Sequence, residues 1–285
     1  MSYLERNLEE EIEYRRAAAE ANCSTFHFLR MFEVVTGVTV GEYVRRRRLS
    51  RAAQELSEGE ARVIDLALRF GYESPDAFAK AFKREFGVTP SEARGGGVRL
   101  QIWPRMSFSV VLKGDVAMEF RIEKRDRFEV TGLTVRASTE NGANLREIPA
   151  FWDRCTAEGH VKSLERAMPA NARMGVMGMC VNDFDEKTNQ FTYLIGIERP
   201  AEAAARKALP RGCVDVTVPA GTWAVFSSRG PLPGAIQEVW KRVFTEWFPA
   251  SGYEHADSPD LEVYSMGDTR APDYYCEVWL PVRKT

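Results

Sequence analysis

Two copies of one pattern, offset by 50 residues, dominate the first third of the chain. Ser24 returns as Ser74, Phe28 as Phe78, Phe32 as Phe82, and Gly37-Val38-Thr39 as Gly87-Val88-Thr89; Arg30 is answered by Lys80 and Ala17 by Ala67. Each copy predicts a short helix, a tight turn and a second helix. The serine hydroxyl accepts from a free amide of the first turn, and a glycine closes the helix where a left-handed residue is needed. Apolar residues four apart, Phe28 and Phe32 with Val35, then Phe78, Phe82 and Phe86, bury one face. The basic residue, Arg30 or Lys80, is left on the other. Two such units in tandem read as paired helix-turn-helix motifs, each presenting its second helix to a major groove, one turn of duplex apart. Between them Val40–Leu56 reads as a long helix with Tyr43, Leu49, Ala52, Ala53 and Leu56 as its buried stripe, and its length sets the spacing of the two units.

A chain of 285 residues supports two domains. The hydrophobic fraction of 44% is ordinary for soluble globular protein. No run reaches the roughly 18 apolar residues of a membrane span, and the first residues lack a signal peptide's apolar stretch. A cytoplasmic location without a membrane partner is expected. Cys23, Cys155, Cys180, Cys213 and Cys276 lie far apart in no metal-ligand spacing, and His27, His160 and His255 do not cluster with them, so reduced thiols, no metal and no cofactor are expected. Net charge is −2, which is not the usual signature of a DNA binder. The basic charge is instead local. Arg45-Arg46-Arg47-Arg48 and Arg51 lie on the helix joining the repeats, where Arg45 and Arg46 are expected to contact phosphates.

Gly95-Gly96-Gly97 interrupts the helical pattern after Arg94, and the following residues have no clean period. The boundaries read as 1–94 for the helical domain, 95–117 for a linker and 118–285 for a second domain. There strands take over. Phe120, Ile122 and Phe128–Leu133 read as strand, then a helix from Ile148 to Met168 with Phe151, Trp152, Cys155, Val161 and Leu164 on its apolar side, then paired strands Met174–Val181 and Phe191–Ile197. The order repeats: a strand over Val214–Phe226 split at Pro219-Ala220-Gly221, a helix opened by Pro231 with Ile236, Val239, Trp240, Val243, Phe244 and Trp247 at helical spacing, and strands Leu261–Met266 and Tyr274–Val282. The fold class is an all-α tandem helix-turn-helix domain followed by an α+β domain made of a duplicated β-α-β-β unit, with helices on one face and a groove between the halves.

The last strand carries the candidate chemistry. Alternation sends Cys276, Val278 and Leu280 to one face and Tyr275, Glu277 and Trp279 to the other. A carboxylate between aromatic rings suits an apolar pocket for a cation, with charge from the glutamate and cation–π attraction from the rings. Glu262 and Tyr264 repeat the theme one strand earlier, and Trp152, Tyr193 and Trp223 are candidates for the same wall. The plainer alternatives are a solvated strand face for Glu277 and ordinary core for the tryptophans. No GxSxG, GxxxxGK[ST] or GxGxxG occurs, so esterase, nucleotide-hydrolase and dinucleotide-binding readings lack a foothold and no catalytic residue is assigned.

These residues carry two resemblances. Residues 14–94 resemble the DNA-binding domain of AraC/XylS transcription regulators, through Cys23–Phe32, Gly41-Glu42-Tyr43-Val44 with Leu49, Leu66-Ala67 to Ser74, Phe78, Phe82 and Gly87-Val88-Thr89-Pro90. Residues 118–283 resemble the GyrI-like effector-binding domain, through Trp152, Phe191-Thr192-Tyr193, Ala220-Gly221, Trp240, Leu261-Glu262-Val263-Tyr264, Glu277 and Leu280-Pro281-Val282. The first resemblance implies double-stranded DNA as partner and gives reading roles to Thr25, Phe26, Leu29 and Arg30, then to Pro75, Asp76, Ala77 and Lys80. Leu29 stands where a polar reader is common, and Pro75-Asp76 where amides are frequent, so the second unit is expected to touch mainly backbone. The second resemblance implies a small hydrophobic, often cationic effector around Glu277, with Trp152, Tyr193, Trp223, Tyr264 and Trp279 as walls.

Together they imply a ligand-responsive regulator in which the effector alters domain placement or the surface offered to RNA polymerase. Two other functions stay open. A drug-sequestering or drug-hydrolysing protein would use Glu277 as general base, and a gyrase-inhibitor-like binding module would account for the second domain alone. Arg30, Lys80 and the arginine run favour regulation, because a sequestering protein has no use for them.

Overall fold

The computed structural model describes the chain except residues 22, 24, 60, 95, 96, 108–117, 170, 171, 173, 182, 186, 257 and 285, and except the side chains of residues 26, 27 and 141. The expected cap at Ser24, the side chain of Phe26 and most of the linker therefore lie outside the described residues. The helical domain runs α1 Ser2–Arg6, α2 Tyr14–Glu20, α3 Thr25–Thr36, α4 Val40–Ser57, α5 Val63–Arg69, α6 Pro75–Phe86 and α7 Pro90–Arg94. In the second unit Ser74 Oγ accepts from the Ala77 amide at 3.1 Å, and Gly87 ends α6 with a positive φ of 77°. Thr39 caps α4 in the same way, accepting from the Glu42 amide at 3.1 Å. Each unit has its own core. Phe28 and Phe32 of α3 pack with Leu4, Leu8, Ala17 and Tyr43, while Phe78 and Phe82 of α6 pack with Leu49, Leu56, Leu66 and Phe70. Helix α4 crosses both cores, its first half in one and its second half in the other. That division gives each unit its own core and lets α4 set the distance between them.

The second domain runs β1 Phe120–Arg125, β2 Phe128–Ser138, α8 Asn144–Ala157, α9 His160–Ala167, β3 Val176–Cys180, β4 Gln190–Glu198, α10 Ala203–Lys207, β5 Val214–Val218, β6 Gly221–Arg229, α11 Gly234–Arg242, α12 Phe248–Ser251, β7 Tyr253–His255, β8 Asp260–Tyr264 and β9 Tyr275–Lys284. The expected single helix over Ile148–Met168 is two, because Gly159 takes a left-handed φ of 76° between them. The helix opened near Pro231 continues past Arg242 through a wider π turn, Val243–Trp247.

Among the described residues all the strands join one antiparallel sheet, β1-β6-β9-β8-β3-β4-β2-β5, with β7 added against β9. The duplication appears in that order. The triplet β2-β4-β3 meets β8-β9-β6 at a central seam where β3 pairs with β8, so the halves are related by a pseudo-twofold axis. Across the seam Gly178 lies opposite Glu262, and Cys180 opposite Asp260.

Paired residues share a face of the sheet, and the two faces have different contents. One carries the helices: Phe151 and Leu164 cover one half, Ile236, Trp240 and Phe244 the other. The opposite face packs against itself, Val130 and Val218 meeting Trp223 and Trp279, which requires a strongly curved sheet. Between the helices of the two halves, over the seam, a groove is left. Helix α3 of the helical domain lies across it, with Met31, Val34 and Val35 packed on the Trp240–Phe244 side.

Candidate ligand site and DNA-reading surface

Glu262 is the centre of the groove. Its position in β8, paired with Gly178 and Val278, turns its side chain toward the helices. Trp240 Nε1 of α11 donates to Oε1 at 2.7 Å, and the Tyr264 hydroxyl donates to Oε2 at 2.7 Å. Beside it the Trp152 ring stands edge-on to Tyr264, centroids 5.1 Å apart, and Trp152 Nε1 donates to the Tyr193 hydroxyl at 2.9 Å. Burial raises the Tyr193 and Tyr264 hydroxyls well above their ordinary pKa, so both stay neutral. The arrangement is a carboxylate held by neutral donors in an aromatic wall. It is short of one positive charge.

Arg30 supplies that charge. Its Nη2 donates to Glu262 Oε1 at 2.6 Å, and the guanidinium carbon lies 3.7 Å from the centroid of the Trp240 ring. Asp260, whose Oδ1 is 2.7 Å from His255 Nε2, stands 3.8 Å from Nη1. Only 19% of the Arg30 side chain is exposed. Burial disfavours its charge, but Glu262 together with Cys180, Asp260 and Tyr193 more than offsets this, so the guanidinium is held still more firmly protonated than usual. Cys180 lies beneath it at 3.8 Å, its thiol pushed up to about 12 by burial. The cleft around these groups measures about 590 Å³ and is shared by both domains: Leu29, Arg30 and Glu33 of α3 face Ile148, Gln237, Trp240 and Glu262. A volume of this size takes a drug-sized ligand.

The six residues expected to line a pocket do not share one. Trp152, Tyr193 and Tyr264 gather round Glu262, whereas Trp223, Glu277 and Trp279 lie on the opposite face of the sheet. Trp223 and Trp279 are core, fully or almost fully buried with ring centroids 6.2 Å apart. Glu277 already has a cation. Arg121 of β1 donates to both its oxygens, at 2.7 and 3.1 Å, with further donors from Tyr275 and Trp279. Burial works to raise the Glu277 carboxyl, yet these donors hold it below the usual range, the reverse of what a general base needs. Sequence periodicity had found the aromatic–carboxylate theme on two strands, but the register that turns Glu262 inward and Glu277 away depends on long-range pairing. In the sequence Trp240 stands on the apolar stripe of its helix and in the effector-domain resemblance, with no site role assigned to it.

Of the expected DNA-reading residues, Asp76, Ala77 and Lys80 are exposed on α6 together with Pro75, while Thr25 is half-buried and Leu29 buried on α3. Arg30, expected on a free face, is turned into the groove. The arginine run is also engaged within the chain. Arg45 bonds Glu85 at 2.9 Å, Arg46 pairs with Glu42 and stacks 4.1 Å from the Trp103 ring, Arg47 holds Glu5, and Arg48 donates to the Leu8 and Glu10 carbonyls. These contacts anchor α1, α6 and the segment leaving α7 to α4. Part of the expected linker is ordered by them: Trp103 N donates to Ser50 Oγ and Trp103 Nε1 to Glu85.

Comparison with known proteins agrees with this two-part plan. Residues 17–96 match the family model described as a helix-turn-helix domain, and residues 121–282 match the integron-associated effector binding protein model. The right origin-binding protein of Escherichia coli K12 is 38% identical over 99% of this chain and 96% of its own. The transcriptional regulator Rob of Salmonella typhimurium is 24% identical over the same shares. Among solved structures, SAV2435 bound to tetraphenylphosphonium is 22% identical and covers 58% of this chain and 94% of its own, with a TM-score of 0.49. The chain belongs to the AraC-type helix-turn-helix transcription regulators that carry a GyrI-like effector-binding domain, in the full-length arrangement of the right origin-binding protein.

Proposed function

We propose that the chain is a ligand-responsive transcription regulator whose effector is a lipophilic cation held at Glu262, and whose DNA contacts come from α3 and α6 through Thr25, Phe26, Leu29 and Arg30 and through Asp76, Ala77 and Lys80. One observation carries the ligand class: a carboxylate between Trp240 and Tyr264 with a guanidinium already bonded to it at 2.6 Å. The site accepts a planar, weakly hydrated cation stacked on an aromatic face, which is the recognition chemistry of lipophilic cations. Bound effector changes the placement of the domains, and with it what the protein offers to DNA and to RNA polymerase.

Titration with tetraphenylphosphonium, followed by tryptophan fluorescence, tests the reading. Glu262→Gln should weaken binding by roughly 1–3 kcal/mol, while neutral triphenylphosphine oxide is little affected. Equal effects on the cation and the neutral compound would overturn it.

A further inference from the structure

The two repeats place their matched basic residues differently. Lys80 of α6 is exposed, while Arg30, its counterpart on α3, lies in the effector groove under Trp240. Both occupy the same place in their unit, so local structure does not account for the difference. Docking of α3 on the second domain does, since Met31, Val34 and Val35 rest on the apolar side of α11 while Arg30 reaches Glu262. Arginine suits this role better than lysine, because a planar guanidinium can stack on Trp240 and bond a carboxylate edge-on at once.

We propose that Arg30 is a built-in competitor for the effector site: the side chain that the first reading helix would bring to DNA instead occupies the cation position at Glu262, so that effector and docked α3 exclude one another. The inference rests on the reading of Glu262 as the cation-binding group. The arrangement described here is then the closed state. Leu29 and Arg30 are covered, and the first unit cannot enter a groove of DNA. A cation that takes Glu262 removes the bond holding Arg30, and α3 is released. Effector and DNA both prefer the open state, so each strengthens binding of the other by the same factor.

The test uses the full-length protein, tetraphenylphosphonium, and a duplex selected by the wild-type chain from a random pool in the presence of that cation. Arg30→Met keeps the length of the side chain and removes its charge. It should tighten the cation at least about fivefold, the lower end of typical coupling between sites. Glu262→Gln keeps the side-chain volume, leaves an amide oxygen for Trp240 and an NH2 group that can donate to the Tyr264 hydroxyl, and removes the charge that holds Arg30. Without effector it should bind the duplex as tightly as wild type does with the cation, and adding the cation should change nothing. Wild type should gain DNA affinity by the same factor that DNA gives to cation affinity. If the cation binds wild type and Arg30→Met equally, the competitor role is overturned while the cation site stands. If it binds neither, the reading of Glu262 fails as well. If Glu262→Gln binds DNA no better than effector-free wild type, α3 is not held by this contact.

Discussion

A Cβ on Gly178 would lie 2.0 Å from the hydroxyl oxygen of Tyr193. No such approach is tolerated, so the glycine makes the room that lets Tyr193 lie across the seam and accept from Trp152. Gly178→Ala would push both rings toward Glu262. A stability loss of roughly 1–3 kcal/mol is expected, typical of an overfilled core, together with weaker tetraphenylphosphonium binding. Urea unfolding followed by far-UV circular dichroism measures the first and a fluorescence titration the second. An unchanged midpoint would show that the tyrosine moves aside freely.

Lys80 and Arg30 are expected to respond differently to effector. Lys80→Ala should weaken DNA binding with or without cation and reduce the salt slope by about one unit, as for a phosphate contact. Arg30→Ala should cost roughly 1–3 kcal/mol of specific binding, referred to the effector-saturated wild type, where α3 is free. Mobility-shift titrations at several salt concentrations, with and without the cation, separate the two. A Lys80 effect that vanishes when cation is withheld would place the second unit under the same control as the first.

The arginine run makes a different prediction. Because Arg45 is bonded to Glu85 and Arg46 lies against Trp103, replacing both with alanine should lower stability by about 1–2 kcal/mol through lost pairing and stem packing. The salt slope of DNA binding should change by less than about one unit. Thermal melting and a salt titration on one preparation decide it. A flattened slope at unchanged melting temperature would instead support the phosphate role.

Cys180 reports on the docked helix. Its thiol is buried beneath Arg30 and pushed up to about 12, so the reactive thiolate is scarce at neutral pH. In the free protein iodoacetamide should leave Cys180 unmodified. Saturating DNA should expose it and raise its alkylation rate several-fold, read by mass spectrometry of the peptide that contains it. Rapid modification without DNA would mean that α3 is undocked in solution.

Much of this molecule was legible before its structure. The duplicated units, the long helix between them and the repeated β-α-β-β order follow from local periodicity and glycine placement, and local signals are what a single sequence carries. The groove carpentry was not. Glu262 and Glu277 sit in similar aromatic–carboxylate patterns, and only the pairing of β8 with β3 and β9 puts one beneath helices and the other beside Arg121. The fate of Arg30 was equally hidden. Its partner is 232 residues away, and its position in the repeat pointed to DNA. Gly159 and the π turn after Arg242 were missed because an amphipathic pattern continues through both.

Glu277 and Glu262 give the sharpest contrast. Glu277 is buried enough to resist ionisation, but Arg121, Tyr275 and Trp279 hold its carboxyl below the ordinary range. Its folded pKa is thus below its unfolded one, near 4.3. The stability this contributes is fully present above the unfolded value and is lost as pH falls through the folded one. With Arg121 nearly half exposed, the pair is worth no more than about 1 kcal/mol. Glu277→Gln should therefore lower stability slightly at pH 7, reduce its fall on acidification below about pH 4.5, and leave tetraphenylphosphonium affinity unchanged. Glu262→Gln should do the opposite to cation affinity. Paired acid titrations of melting temperature, with cation binding measured at pH 7, compare the two variants directly. Loss of cation binding in Glu277→Gln with retention in Glu262→Gln would move the effector to the other face of the sheet, and the role of Arg30 in the groove would then be purely structural.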